Sequence, residues 1–242
     1  MGRGEPTSEK LVQDYVSKLY KERYDGTGHF YHSRIVTTML EGVILKDGKY
    51  SDKILDVGCG VGFVSSLYPS FDIIGIDISD GMLSNNPHKW VKGSAESIPF
   101  PDNSFDFVVC RSLLHHLDDP NIGLKEMYRV LKPGGKFACW DPNHSFLNGL
   151  FRKLFQKTDR FSHLHKSFKD NELIEMIEKA RFKITDKKYI GFLAYPLIGF
   201  PDIIKFPVSI TLARFLMWLD EKLSKTFVKK IAWSLMIRAV KP

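Results

Sequence analysis

The chain has 242 residues, 43% hydrophobic and 26% charged, which suits a globular protein of one elaborated domain with a sizeable core. Its net charge of +7 is uneven: residues 151–242 hold 19 Lys and Arg against 9 Asp and Glu, a surplus of +10, and the rest of the chain sums to −3. The three cysteines make no CxxC pair and no zinc-spaced cluster with histidine, which excludes a metal-ligand or disulfide scaffold; the longest uncharged stretch, Tyr189 to Pro201, has 13 residues, against the roughly 20 that a membrane span needs.

Helical periodicity opens the chain. Residues 8–24 and 30–46 read as two N-terminal helices, with Leu11, Tyr15 and Leu19 in phase in the first and Ile35, Val36, Met39, Leu40 and Val43 in the second. The pattern then changes to short apolar runs alternating with helices. "KILDVG" is a strand, "VGFVSSLY" a helix and "FDIIGIDI" a second strand. Ser79 is placed to N-cap the short helix "DGMLSN", and "HKWVKGSA" and "SFDFVVCRS" are the third and fourth strands. Asp119-Pro120 starts a helix over "NIGLKEMYRVL", with Asp as N-cap and Pro at the first helical position, and "KPGG" stops it. "KFACWDPN" is a fifth strand. Further on, "DNELIEMIEKA" is a helix, and "FKITDKKYIG" and "IAWSLMIRAVKP" are the last two strands. Alternation at this spacing implies a mostly parallel sheet with helices on both faces. Between the last two strands lies a 191–230 insertion rich in aromatic residues and proline.

The stretch "ILDVGCGVG", Ile54 to Gly62, carries the chemistry. A glycine-rich turn between strand and helix lets a ligand lie against bare backbone at a helix N-terminus. Dinucleotides use such turns for a pyrophosphate, with the spacing G-x-G-x-x-G. Here Gly58, Gly60 and Gly62 give G-x-G-x-G, and Asp56 precedes them by two residues. An acid there repels a pyrophosphate and suits a cationic ligand. Asp77, at the end of the second strand, is placed to accept hydrogen bonds from ribose hydroxyls. Asp56 with Asp77 describes a nucleoside that carries a positive, amino-acid-like group, which S-adenosylmethionine has.

With these residues the chain resembles the class I S-adenosylmethionine-dependent methyltransferases, in the branch similar to the ubiquinone/menaquinone biosynthesis methyltransferases. The matching segments are "ILDVGCGVG", "IIGIDIS", "GSAESIPFPDNSFDFVVC", "LLHHLDDP" and "EMYRVLKPGGKF", in the family's order over about residues 53–142. The resemblance implies a single α/β domain, residues 1–242. Its fold would be a Rossmann-like, seven-stranded, mostly parallel sheet with helices on both faces, N-terminal helices over 8–46, a cofactor-binding core over 53–142 and a C-terminal helical cap over 191–230. It also implies that Gly58, Cys59 and Gly60 supply backbone contacts to the methionine part of the cofactor, with Asp56 beneath its amino group. Asp77 would hold the ribose and Ile78 pack on the adenine, with Ala95 and Glu96 along the adenine edge. Arg111 and Ser112 would pass the methionine end. Where the family usually carries Asp, this chain has Ser94, which can accept the bond from the adenine amino group without a charge.

Methyl transfer from a sulfonium is an in-line displacement in which the enzyme mainly aligns the nucleophile and excludes water. A base is needed only for a protonated nucleophile, and the sequence leaves it open. His116, from the pair His115-His116, is one candidate; Asp141 and His144, after the fifth strand, are the others. Phe30, Tyr31 and His32 are placed to fold over the cofactor. No metal constellation is present, and none is required.

The acceptor is read from the cap. Its aromatic and apolar side chains, with Lys225, Lys229 and Lys230 close by, and the segment "FLNGLFRKLFQK" (146–157) combine apolar and basic faces as an interfacial helix does. This favours a lipid, isoprenoid or other apolar small acceptor and peripheral contact with a membrane, set against a cap that only packs on the sheet. The basic half keeps a second reading open, RNA or a polar small molecule, although no RNA-binding module is visible and nucleic acid is disfavoured. A dinucleotide-dependent oxidoreductase and a non-catalytic cofactor-binding protein are the remaining alternatives. The polar first residues, "MGRGEPTSEK", carry no signal-peptide core, and the thiols suit a reducing cytoplasm.

Overall fold

The computed structural model describes residues 26–44, 48–143, 168–199 and 208–242. The first predicted helix (8–24), the 146–157 segment and His144 lie outside the described residues. The chain order is α1 (Gly26–Glu41), β1 (Lys53–Val57), α2 (Phe63–Leu67), β2 (Asp72–Asp77), α3 (Asp80–Leu83), β3 (Trp90–Lys92), β4 (Phe105–Arg111), α4 (Pro120–Val130), β5 (Leu131–Pro142), α5 (Asp170–Lys179), β6 (Lys183–Ile190), α6 (Ile210–Leu223) and β7 (Ser234–Val240). Short helical turns occupy Leu114–His116, Tyr195–Gly199 and Phe227–Ile231.

The seven strands form one sheet in the order β3-β2-β1-β4-β5-β7-β6. β3, β2, β1, β4 and β5 run parallel, and β7 is antiparallel to both β5 and β6. Strand order reverses between β1 and β4, so a crevice opens outside their carboxyl ends, where open α/β sheets hold ligands. Central strands are apolar on both sides because helices cover both faces. The edges are blunted differently. β3 is three exposed residues long, and β6 carries Lys183, Lys187 and Lys188.

Side-chain alternation sorts the residues by face. Ile54, Ile73, Phe107, Val109, Ala138, Trp140 and Met236 meet α1 and the turn at Tyr195 in one core. Leu55, Val57, Val108, Cys110, Phe137, Cys139 and Ile237 meet α4 and α5 in the other. Cys110 and Cys139 face each other in register on neighbouring strands, both with no exposed surface. By the same alternation Asp56, Asp77, Arg111 and Trp140 share the α1 face, and Asp141 lies on the opposite one.

The caps follow their residue types. Ser79 Oγ accepts from Met82 N–H at 3.1 Å, and Asp119 Oδ1 accepts from Asn121 N–H at 2.9 Å, with Pro120 opening α4. α1 is fastened at its C-terminal end by a charge from the sheet. Arg238 of β7 donates to the Thr38 and Met39 carbonyls and pairs with Asp186 at 2.5 Å. A cation at orphaned C-terminal carbonyls is favoured by both hydrogen bonding and the helix dipole.

Candidate cofactor and acceptor site

The turn after β1 forms as its glycines demand. Gly58, Gly60 and Gly62 take φ of 74°, 51° and 78°, the left-handed region that favours glycine. A Cβ on Gly58 would stand 2.8 Å from Leu113 Cδ1, and one on Gly62 would stand 2.3 Å from Asn86 Oδ1. The N–H groups of Gly58, Cys59, Gly60 and Gly62 are spent inside the protein. Gly58 and Cys59 donate to Ile76 O, Gly60 donates to Asp77 Oδ2 at 2.9 Å, and Gly62 donates to Cys59 O. A pyrophosphate needs such donors, and here they are engaged. What the turn presents is bare Cα surface and carbonyl oxygen, which suits an ammonium group.

Asp56 lies beneath this turn, 2% exposed. Burial pushes its carboxyl up to about 7; Arg111 pulls it down and Asp77 pushes it up. Its environment is thus an anion in want of a cation. Asp77 is also raised by burial, a shift opposed by N–H bonds from Ser79 and Gly60 and by His116 nearby. Its Oδ1 accepts from Ser79 N–H and its Oδ2 from Gly60 N–H, both at 2.9 Å. Ile78 N–H adds a third bond, and the carboxylate, with about four acceptor positions, keeps capacity for a hydroxyl donor. Ile78, next along, is 46% exposed, a flat apolar surface beside the ribose acid. These residues fit S-adenosylmethionine: a glycine cradle that a Cβ would fill, a buried acid for the ammonium, a second acid for the ribose and an open isoleucine for the adenine.

Ala95, which is buried, and Glu96 follow β3. Ser94 Oγ accepts from Glu96 N–H at 3.1 Å, and Glu96 Oε1 accepts from Asp119 N–H at 2.6 Å. Both side chains therefore shape the loop leading to α4. At the end of β4, Arg111 stacks its guanidinium over Phe63, 5.3 Å from the ring centre. Ser112 then adopts φ 51° and turns the chain across the carboxyl edge.

Asp141 sits beneath that turn with no exposed surface. It accepts from the N–H groups of Leu113, Leu114 and His115 at 3.2–3.3 Å, and from His115 Nδ1–H at 2.6 Å. Four donors on one carboxylate make it the anchor of the 113–116 turn. Its position on the face away from α1 separates it from the other site acids. His116 lies against His115 with the rings tilted by 39° and their centres 3.9 Å apart, on the Asp77 side of the site.

Rings gather on the α1 face. His32 lies 6.4 Å from both Phe63 and Trp140, Tyr31 lies 6.1 Å from Tyr195, and Tyr195 lies 6.0 Å from Trp140. Tyr31 and Trp140 are 1% and 2% exposed, yet Tyr31 Oη and Trp140 Nε1 have no hydrogen-bond partner among the described residues. Buried donors without partners are costly. These two border a ring cluster that reaches Arg111 through Phe63. Trp140 was not singled out from sequence; the available signal was its position one residue before Asp141, on the face that strand alternation shares with Asp56.

Comparison with known proteins bears on the family and the fold. Residues 55–139 match the family model described as a methyltransferase domain. A demethylmenaquinone methyltransferase from Geobacillus sp. (strain WCH70) is 32% identical over 223 residues, covering 77% of this chain and 94% of that one. A solved S-adenosylmethionine-dependent methyltransferase from Thermotoga maritima, described as a possible histamine N-methyltransferase, superposes with a TM-score of 0.69 at 22% identity. The superposition covers 97% of this chain and all of that one. Phosphoethanolamine N-methyltransferase 2 from Haemonchus contortus, solved with phosphomonomethylethanolamine and S-adenosylhomocysteine, superposes at 0.64 and 18% identity over 98% of this chain and 60% of that one. At these identities the two superpositions establish the fold alone.

Proposed function

The chain belongs to the S-adenosylmethionine-dependent methyltransferases, in the branch of the demethylmenaquinone methyltransferases, and from that premise we propose that it methylates an apolar acceptor whose reacting part is an oxygen-bearing ring. A quinol with an isoprenoid tail is the acceptor that fits best. The observation that carries this reading is the ring cluster of Tyr31, His32, Trp140 and Tyr195, with two buried donors lacking partners. Such a lining accepts a flat apolar ring and rewards one that brings oxygen atoms.

The cofactor supplies an electrophilic methyl group on a sulfonium with a neutral leaving group. Asp56 would take its ammonium, Asp77 its ribose hydroxyls and Ile78 its adenine. On the acceptor side, Tyr31 Oη–H and Trp140 Nε1–H donate to a ring oxygen and so select which ring carbon faces the methyl group. Phe63 and Tyr195 exclude water. Loss of a hydroxyl proton enriches the ring carbon, and His32 is the imidazole the fold sets among these rings to take that proton; as the ring rearomatises, the methylated carbon gives up its own proton and the oxygen is reprotonated, so one proton is released per methyl group transferred. An acceptor with a lipid tail resides in a bilayer, so the protein works as a peripheral partner of a membrane. Among the described residues no helix is long and apolar enough to cross one.

The test incubates the protein with methyl-labelled cofactor and a short-chain demethylated quinol, then extracts the products. Label in the ring of the quinol is expected. Tyr31→Phe should raise the acceptor KM about tenfold and leave cofactor affinity unchanged. Label appearing only on polar or macromolecular acceptors would overturn the reading.

A further inference from the structure

The side of α6 turned away from the sheet carries more apolar surface than a solvated helix needs. Ala213, Leu216 and Asp220 face inward and are buried. Asp220 there accepts the N–H groups of Phe192, Leu193 and Ala194. On the outward side Ile210 is 50% exposed, and Phe215 and Trp218 are each 53% exposed, with rings stacked 5.9 Å apart. Beyond the helix, Phe227 is 93% exposed at the head of the last helical turn. Each is an aromatic or branched side chain that helical spacing or the following turn could have left polar.

Cations frame this surface. Arg214 and Lys222 lie on the same outward side, Lys222 over Trp218 at 5.7 Å, and Lys225, Lys229 and Lys230 follow, all exposed. Glu221 is the one exposed acid between 209 and 233. Exposed aromatics within a basic frame match an anionic lipid surface: the rings sit at headgroup depth while each nearby Lys or Arg is drawn to the lipid charge. Another protein or a second copy would satisfy the apolar part, but it would have to bring its own acidic frame.

We propose that the outward face of α6, with the turn at Phe227, is a docking surface for an anionic membrane. This deepens, and rests on, the reading of a lipid-tailed acceptor. The surface adjoins the acceptor site. α6 packs against α1, and Arg214 lies over Phe30 at 5.7 Å, next to Tyr31. Docking through this face puts the ring cluster beside the bilayer, where a tailed acceptor can enter without crossing water.

The test uses the full chain with phosphatidylcholine vesicles, with and without phosphatidylglycerol. Sedimentation with the phosphatidylglycerol vesicles is expected, and little with phosphatidylcholine alone. Raising salt from about 0.1 M to about 1 M, which shortens screening from about 10 Å to about 3 Å, should release the protein. Phe215→Ser with Trp218→Ser, and separately Lys229→Glu with Lys230→Glu, should each lower partitioning about tenfold or more. Methyl transfer to a short-chain, water-soluble quinol should be unchanged in both variants. Equal binding by wild type and variants, or no wild-type binding, would overturn the proposal. A concentration-dependent dimer that Phe215→Ser with Trp218→Ser dissociates, without vesicle binding, would assign the face to a second copy. If the wild type binds vesicles but transfers no methyl group to the soluble quinol, the acceptor reading falls and the docking surface stands.

Discussion

Buried at the end of β1 with Arg111 beside it, Asp56 has its carboxyl pushed up to about 7 by burial. Between its ordinary value and that one, the folded protein holds a proton that the unfolded chain has lost. This contribution to stability is therefore fully present below about pH 4 and declines as pH rises to about 7. Thermal melts of the cofactor-free protein should show that decline, and Asp56→Asn should remove it. Cofactor binding has the opposite sign, since an ammonium partner needs the carboxylate: affinity should rise with pH and level off above about 7. Calorimetry in two buffers of different ionisation enthalpy would count the released proton, and Asp56→Asn should bind more weakly with no such slope. The acid itself was visible in the sequence through its distance from Gly58. Its burial was legible too, from the apolar strand around it; the charge of Arg111 beside it was not, because that residue comes from β4, a strand the glycine motif does not mention.

Among elements, α1 shows best how a remote residue sets a site. Tyr31 and His32 occupy its second turn, and its far end is tied to β7 by Arg238. Arg238→Met keeps bulk but leaves the Thr38 and Met39 carbonyls without their charged donor. A loss of about 2–3 kcal/mol in stability is expected, with acceptor turnover falling and cofactor affinity held, read from denaturant melts beside steady-state kinetics. The helix was legible from its periodicity, 30–46 expected against Gly26–Glu41 observed, but its fastening was not. A lone Arg in an apolar final strand gives no hint of a partner 200 residues earlier in the chain. The N-caps at Ser79 and Asp119 were legible because capping is local. The role of Asp141 was not, since three of its donors are backbone N–H groups brought near by the turn at Ser112.

Across the whole molecule, the alternation of strands and helices specified the parallel sheet, and "KPGG" marked the end of α4. The antiparallel return of β7 between β5 and β6 is a pairing at long range that periodicity does not encode. The segment between β6 and β7 leaves and re-enters the sheet at one point: Trp233 N–H donates to Gly191 O at 2.9 Å, and Ile190 pairs with Ser234. Replacing 192–232 with a short turn is thus compatible with the sheet. The trimmed chain should bind cofactor, by fluorescence titration, and should lose methyl transfer to the quinol, because Tyr195 goes with the excised piece. Retained transfer would show that the acceptor is held elsewhere.

The facing thiols of Cys110 and Cys139 give the sheet a clock. They lie between the sheet and the layer of α4 and α5, with no exposed surface, so an alkylating reagent can reach them only when those helices lift from the sheet or the strands part. Mass-resolved labelling of these two positions would time the opening of this core in the native molecule, and the change in that rate on adding cofactor would report how far a ligand at the edge of the sheet braces its middle.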